Sequence, residues 1–164
     1  MAASNQIASS APGIRPPTMV ITEILHAPRT LVFKTWTDAR HVAQWWGPHQ
    51  FTNPVCEWDA RPGGLIRIDM QAPDGTVYPM RGVFHEVIEP AYLDFTTTAF
   101  ADKPGSDQLQ VRHNVTFEEQ GGKTKLTLRS RVVKTTRATA EPLVGMEEVW
   151  KQSLDRLADL LEEM

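Results

Sequence analysis

Residues 141 to 164 read EPLVGMEEVWKQSLDRLADLLEEM, the most regular hydrophobic pattern in the chain. Apolar residues recur there at the three- and four-residue spacing of one helix face, and charged residues occupy the other face. The apolar face carries Leu143, Met146, Val149, Trp150, Leu154, Leu157, Leu160, Leu161 and Met164. Such a helix is stable only when its apolar face packs against another layer. We therefore predict a long C-terminal helix that is held by the rest of the chain.

The segments before this helix supply the layer. Runs rich in β-branched and aromatic residues alternate with Gly- and Pro-containing turns, a pattern typical of strands. The predicted strands cover residues 19–25, 51–60, 65–71, 76–88, 92–100, 109–118 and 123–135. Because the connections between most of them are short, we expect antiparallel hairpins.

Two short helices are predicted between the first and second strands. Pro28 suits the first position of a helix, where its missing N–H costs nothing. The apolar face of this helix carries Leu31, Val32, Thr35 and Trp36. Asp38 can cap a second helix, whose inner face carries Val42, Trp45 and Trp46 and which ends at Gly47-Pro48. The predicted fold is therefore α+β: a strand, two short helices, about six strands and a long helix.

Length and composition indicate one domain with a tail. A chain of 164 residues is the size of one domain. Residues 1–17, MAASNQIASSAPGIRPP, are too polar to form a core, so we expect a flexible N-terminal tail before a single domain at 18–164. The tail would gain order by lying against the domain or a neighbouring subunit.

Charge and hydropathy exclude several classes of partner. The formal net charge is −3, so the overall field repels nucleic acid. No segment approaches the roughly 20 apolar residues of a membrane span, and the first residues lack a signal-peptide pattern, so we expect a cytoplasmic protein. The single cysteine, Cys56, has no intramolecular partner for a disulfide and is expected to be a small buried apolar side chain.

No motif for metal or cofactor binding is present. The histidines at 26, 41, 49 and 85 have no spacing typical of a metal site, and no phosphate-binding or nucleophile-elbow motif occurs. We therefore predict no metal and no cofactor. Asp69, Glu86, Asp94 and Arg81 are able to supply acid–base chemistry, but their spacing favours solvated strand faces.

Several short motifs together resemble one family. These are Ala27-Pro28-Arg29 with Leu31-Val32-Phe33, Trp36-Thr37-Asp38, Trp45-Trp46-Gly47-Pro48, Arg61-Pro62-Gly63-Gly64, Asp74-Gly75-Thr76, Tyr78-Pro79, Arg81-Gly82-Val83, Gly145-Met146-Glu147-Glu148 and Trp150 with Ser153 to Leu157. The match extends from about Met19 to Leu161. On these residues the chain resembles homologues of the activator of the heat shock protein 90 ATPase, within the START-like, Bet v-like helix-grip superfamily.

The resemblance implies a helix-grip fold, in which a curved antiparallel sheet of about six to seven strands surrounds the C-terminal helix and leaves a cavity between them. It leaves function open, because one fold carries many functions. We expect a protein that binds a small hydrophobic ligand. The alternatives are a co-chaperone-like domain that binds a chaperone or another protein, and an enzyme resembling polyketide cyclases or dehydratases. A homodimer through a sheet face or the tail is also compatible with the sequence.

Inward strand positions and the helix face supply candidate cavity residues. They are Trp46, Trp58, Ile66, Ile68, Phe84, Phe95, His113, Phe117, Val149, Trp150 and Leu154. His113 shares the core side of its strand with Leu109, Val111, Val115 and Phe117. It is either a satisfied core residue or a group that orients a ligand. Val149 stands where the family often has Gly and is expected to narrow the cavity.

Two further features have both a structural and a functional interpretation. The Trp45-Trp46-Gly47-Pro48 segment is either a movable gate at the cavity or part of the core. Lys123, Lys125, Arg129 and Arg131 alternate on one face of the last strand. They either dock an acidic partner or form a solvated sheet face whose charges discourage edge-to-edge pairing.

Overall fold

The computed structural model describes residues 18–100, 108–135 and 142–164. The strands in this part of the chain are β1 (Thr18–Leu25), β2 (Thr52–Trp58), β3 (Leu65–Gln71), β4 (Val77–Ile88), β5 (Tyr92–Phe100), β6 (Gln108–Gln120) and β7 (Lys123–Thr135). The helices are α1 (Arg29–Thr37), α2 (Ala39–Trp45) and α3 (Pro142–Glu162). The predicted α+β helix-grip fold is confirmed, and the strand boundaries differ from the predicted ones by at most two residues. The predicted tail at 1–17 and the loop around Lys103 lie outside the described residues.

All seven strands form one antiparallel sheet in the order β1-β7-β6-β5-β4-β3-β2. The first strand pairs with the last, and β1 and β2 therefore form the two edges. The helices α1 and α2 connect these edges. As a result, α1, α2 and α3 share the inner face of the curved sheet.

Aromatic side chains fill the centre between the helices and the sheet. The rings of Trp36 and Trp150 lie nearly parallel, with centroids 5.9 Å apart. The indole N–H of Trp58 donates to the Trp36 carbonyl at 2.7 Å, and that of Trp45 donates to the Thr35 carbonyl at 2.9 Å. Buried indoles need such acceptors. The first bond fixes α1 relative to β2, and the second fixes α2 relative to α1.

The caps of the short helices follow the sequence with one correction. The Asp38 side chain accepts a hydrogen bond from the Arg40 backbone N–H, as expected for the N-cap of α2. Pro28, however, is the N-cap of α1 and not its first helical residue. Its extended backbone, with ψ of 151°, places its carbonyl to accept from the N–H groups of Leu31 and Val32.

The turn at Arg61-Pro62-Gly63-Gly64 requires both of its glycines. Gly63 has φ of +81°, which favours a residue without Cβ. A Cβ on Gly64 would lie 1.9 Å from the Asp59 carbonyl oxygen, closer than any side chain tolerates. This motif therefore specifies the tight connection between β2 and β3.

The basic strand lies inside the sheet and not at its edge. β7 pairs with β1 on one side and β6 on the other, so its lysines and arginines do not protect an edge. The predicted solvated face agrees with the exposure of Lys123, Arg129 and Arg131, but the predicted role at a sheet edge is wrong, because β1 pairs with β7. The edge strand β2 instead contains Pro54 and a register irregularity between Thr52 and Val55, both of which discourage further pairing. Within the described ranges, no helix has the length and apolar character needed to cross a membrane.

Candidate functional site

An apolar cavity of about 330 Å³ lies between the inner face of the sheet and α3. This volume is within the range of small-molecule pockets. Apart from two indole N–H groups, its polar side chains among the described residues are Thr97, His113 and Ser153. The wall is formed by Trp46, Gly47, Met70, Met80, Thr97, Ala99, Leu109, Val111, His113, Met146, Val149, Trp150 and Ser153.

A larger hollow of about 610 Å³ borders the turn between β2 and β3. Its wall is mostly solvent-exposed and includes Glu57, Asp59, Arg61 and Leu65. Such an open surface offers little desolvation to a small molecule. The cavity beside α3 is therefore the candidate site.

Four of the eleven sequence candidates line this cavity: Trp46, His113, Val149 and Trp150. The structure places the other seven in the packed core: Trp58, Ile66, Ile68, Phe84, Phe95, Phe117 and Leu154. None of these seven side chains is more than 6% exposed. Large side chains on the inner face interlock and occupy the space themselves, which is why they do not border the cavity.

Sequence reasoning missed the small residues that leave the space open. Along β5 the inward positions go from Phe95 to Thr97 and Ala99, and α3 and the α2 end contribute Ser153 and Gly47. This decrease in size along one strand face was the available signal. Three methionines were also missed, and their flexible thioethers suit an adaptable binding wall. They are Met70, Met80 and Met146.

His113 is held between two hydroxyl groups. Its Nε2 lies 2.9 Å from Thr97 Oγ1 and its Nδ1 lies 2.8 Å from Ser130 Oγ. Its ring also contacts the rings of Phe95 and Trp150, with centroids 4.9 and 5.6 Å away. His113 is thus a satisfied buried residue and at the same time part of the cavity wall.

Burial keeps His113 neutral. Desolvation lowers its pKa from 6.5 to about 3. The Thr97 hydroxyl lies beside His113, and the Ser130 hydroxyl orients the imidazole. This is the arrangement in which a histidine activates a hydroxyl as a nucleophile. A general base works best with a pKa near the operating pH, so a histidine with this pKa is a weak one.

The acidic candidates for catalysis lie away from the cavity. Asp94 forms a bidentate ion pair with Arg112, with distances of 2.9 and 2.6 Å, and Asp69 lies 3.5 Å from Arg81. Glu86 is exposed. The described residues of the cavity wall include no carboxylate, and hence no carboxylate–histidine pair.

The helix α3 fastens the Trp45-Trp46-Gly47-Pro48 segment. The Arg156 guanidinium donates to the carbonyls of Trp46, Gly47 and Pro48 at 2.9–3.1 Å and to that of Gln44 at 2.9 Å. Ser153 donates to the Gly47 carbonyl and accepts from its N–H, both at 3.0 Å. These bonds satisfy the free carbonyls at the end of α2. They hold this segment as a fixed wall, which argues against a movable gate.

Val149 lies at the rim of the cavity. It lines the cavity, yet its residue is 37% exposed. Trp150, the next residue, is buried and contacts Trp46 with ring centroids 5.1 Å apart. The valine side chain therefore narrows the mouth where a glycine would leave it wider.

Cys56 and the other histidines do not form a second site. Burial raises the pKa of the Cys56 thiol to about 11, so it is protonated at neutral pH and a poor nucleophile. Across the described ranges, no group of three or more His, Cys, Asp or Glu side chains is arranged to hold a metal.

Comparisons with known proteins identify similar chains. The family model described as Activator of Hsp90 ATPase homolog 1-like protein matches residues 26–162. No curated protein matches. A solved protein from Chromobacterium violaceum superposes with a TM-score of 0.77 and 23% identity, covering 88% of this chain and 96% of its own.

Two more solved bacterial proteins have the same fold. One, from Mycobacterium smegmatis, has a TM-score of 0.72 and 27% identity, with 88% of this chain and 90% of its own covered. The other, from Arthrobacter aurescens, has a TM-score of 0.75 and 23% identity, with 90% and 87% covered. These similarities support the fold and leave the ligand unspecified.

Proposed function

The chain belongs to the Activator of Hsp90 ATPase homolog 1-like protein family, and from that premise we propose that it binds a small apolar molecule in the cavity beside α3. The observation that carries this proposal is the cavity itself, about 330 Å³ of mostly apolar space beside a densely packed aromatic core. A ligand of matching size in this space would contact the apolar side chains of the wall and gain dispersion energy from each contact.

The chemistry of the wall supports binding. Trp46 and Trp150 offer broad aromatic surfaces, and the methionines adapt their shape to a guest. The bonds from Arg156 and Ser153 hold one side of the wall in place before a ligand arrives. A preformed wall reduces the ordering cost of binding.

Filling the cavity from within tests this proposal. We expect Ala99→Phe to lower the affinity for the neutral fluorescent probe N-phenyl-1-naphthylamine at least tenfold, because the new ring occupies the ligand's space. Fluorescence titration measures the effect. The matched control is Thr98→Phe on the outer face of the same strand, which should bind the probe like the unmodified protein. Equal affinities for the two variants would contradict the proposal.

A second candidate function, binding of an acidic protein surface, is favoured by the outer face of the sheet. Arg131 lies opposite Arg112 in the register of β6 and β7, and Arg129 lies opposite Asn114. Arg129 and Arg131 are exposed and form no ion pair with another described residue. Arg112 is already paired with Asp94, whereas Arg129 and Arg131 lie two residues apart on one face of β7, so an anionic partner would supply the counter-charge that the described residues do not.

Charge reversal tests the second candidate. Arg129→Glu/Arg131→Glu is expected to weaken binding of poly-L-glutamate at least tenfold at low ionic strength, since surface charges dominate such contacts. The control is Lys34→Glu on α1, which makes half of the double variant's change in net charge and leaves the sheet face intact. Equal binding by both variants in a calorimetric titration would remove the docking idea.

A further inference from the structure

We propose that the cavity selects neutral aromatic molecules with a single hydroxyl or carbonyl group, which hydrogen-bonds to Thr97. This inference rests on the proposed ligand binding and specifies the class of ligand. It depends on three observations: the hydroxyl–histidine–hydroxyl chain, the absence of charge on the described wall, and the aromatic and sulfur groups around it.

Thr97 is the wall hydroxyl with spare hydrogen-bonding capacity. The Ser153 hydroxyl already donates to the Gly47 carbonyl and accepts from the Gly47 N–H. The Thr97 hydroxyl has one hydrogen bond to a described residue, with His113 Nε2. A hydroxyl offers one donor and two acceptor positions, so this contact leaves capacity for a ligand.

The hydrogen-bond chain through His113 lets the Thr97 hydroxyl act either as an acceptor or as a donor towards a ligand. A neutral imidazole donates from one nitrogen and accepts at the other. When Nδ1–H donates to Ser130, Nε2 accepts the Thr97 proton and Thr97 offers a lone pair to a ligand hydroxyl. When Nε2–H donates to Thr97, the Thr97 proton is free to bind a ligand carbonyl. The same site therefore accepts an alcohol, a phenol or a ketone.

Ionic ligands are disfavoured by the wall. His113 stays neutral, and the described wall contains no lysine, arginine or carboxylate. Arg156, which bonds the wall residue Gly47, is occupied by four carbonyl groups. An ion entering the cavity would lose its hydration without gaining a counter-charge, which is costly.

The apolar groups favour a flat aromatic ligand. Two indole rings, from Trp46 and Trp150, and three methionine side chains surround the space. Thioether sulfurs and indoles both make favourable contacts with aromatic rings. The volume of about 330 Å³ fits a ligand of two or three rings.

Three naphthalene probes that differ in one substituent test the selection. They are 2-naphthol, 2-methylnaphthalene and 2-naphthoate, measured by equilibrium dialysis at pH 7 with the full chain. We expect 2-naphthol to bind about tenfold more tightly than 2-methylnaphthalene, the gain typical of one hydrogen bond in an apolar site. We expect no saturable binding of 2-naphthoate.

Substitutions assign the effect to Thr97. Thr97→Val should remove the preference for 2-naphthol and leave the affinity for 2-methylnaphthalene within about twofold of its original value. Thr97→Ser should retain the preference, and it serves as the second variant if valine disturbs folding. Thr98→Val, on the outer face, is the matched control and should behave like the unmodified protein.

The possible outcomes separate this inference from the proposed function. Equal binding of 2-naphthol and 2-methylnaphthalene, or tightest binding of 2-naphthoate, overturns the selectivity and leaves ligand binding intact. A 2-naphthol preference that survives Thr97→Val overturns the role of Thr97. Absence of saturable binding for all three probes overturns the proposed function together with this inference.

Discussion

Replacing Arg156 by alanine is expected to lower the free energy of unfolding by about 3 kcal/mol. A hydrogen bond to a charged group contributes roughly 1.5–3 kcal/mol, but contributions on one group are not additive and Arg156 is only half buried. The substitution removes a charged donor from four carbonyls at the end of α2. Among the described residues, three of them keep a second donor, from Asn53, Ser153 or the Phe51 N–H, and the Gln44 carbonyl does not. The substitution also weakens the attachment of Trp46 to α3, so affinity for N-phenyl-1-naphthylamine should decrease. Urea unfolding and probe titration measure the two effects.

The comparison variants separate the effect of the planar set of guanidinium donors from the effect of the positive charge. Arg156→Lys keeps the charge but lacks the planar set of donors, so it should restore less than half of the lost stability. Arg40→Ala, whose side chain is 87% exposed, should leave the free energy of unfolding nearly unchanged. If Arg156→Lys restored the full free energy of unfolding, charge alone would account for the effect. The hydrogen bonds from the guanidinium would then not be what holds the Trp45-Trp46-Gly47-Pro48 segment.

Replacing His113 by phenylalanine is expected to remove a large part of the acid sensitivity of the fold. The unfolded chain protonates His113 near pH 6.5, whereas burial lowers the pKa in the folded protein to about 3. Between these values the unfolded state binds more protons. Stability from neutral His113 is therefore complete above pH 6.5 and decreases as the pH falls towards 3. From pH 6.5 to 4.5 the unmodified protein should lose about 2–3 kcal/mol more than His113→Phe.

The pH slope, and not the absolute stability, carries this test. Phenylalanine removes the partner of the Thr97 and Ser130 hydroxyls, so the variant is expected to be less stable at every pH. His85→Asn is the matched control because His85 is exposed, and it should keep the slope of the unmodified protein. Parallel stability curves for the unmodified protein and His113→Phe would show that His113 titrates normally in the folded state.

The sequence was sufficient to predict the elements of the fold because local patterns encode them. Helical periodicity predicted α3, and turn residues such as those at Gly63-Gly64 predicted the strand boundaries. The position of β7 could not be predicted from such patterns. Its pairing with β1 joins segments at opposite ends of the chain, so the basic residues that suggested an edge lie in the interior of the sheet.

The candidate site was only partly predictable because a cavity forms where inward side chains are small, whereas the sequence analysis selected large ones. Alternation correctly placed His113 inward, but the selection of large residues such as Phe84 and Phe95 identified the filled core. The cavity lies where small side chains, Thr97 and Ala99, follow them on the same strand face. The bonds from Arg156 to the end of α2 join residues more than 100 positions apart and leave no local pattern.

Native mass spectrometry of the protein, purified gently from its own host, tests ligand binding most directly. The account predicts a discrete additional mass on the unmodified protein that disappears on denaturation, and a loss of this mass in Ala99→Phe. The released molecule should be neutral and aromatic. The bare mass of the chain for both proteins, or the same additional mass on both, would contradict the account.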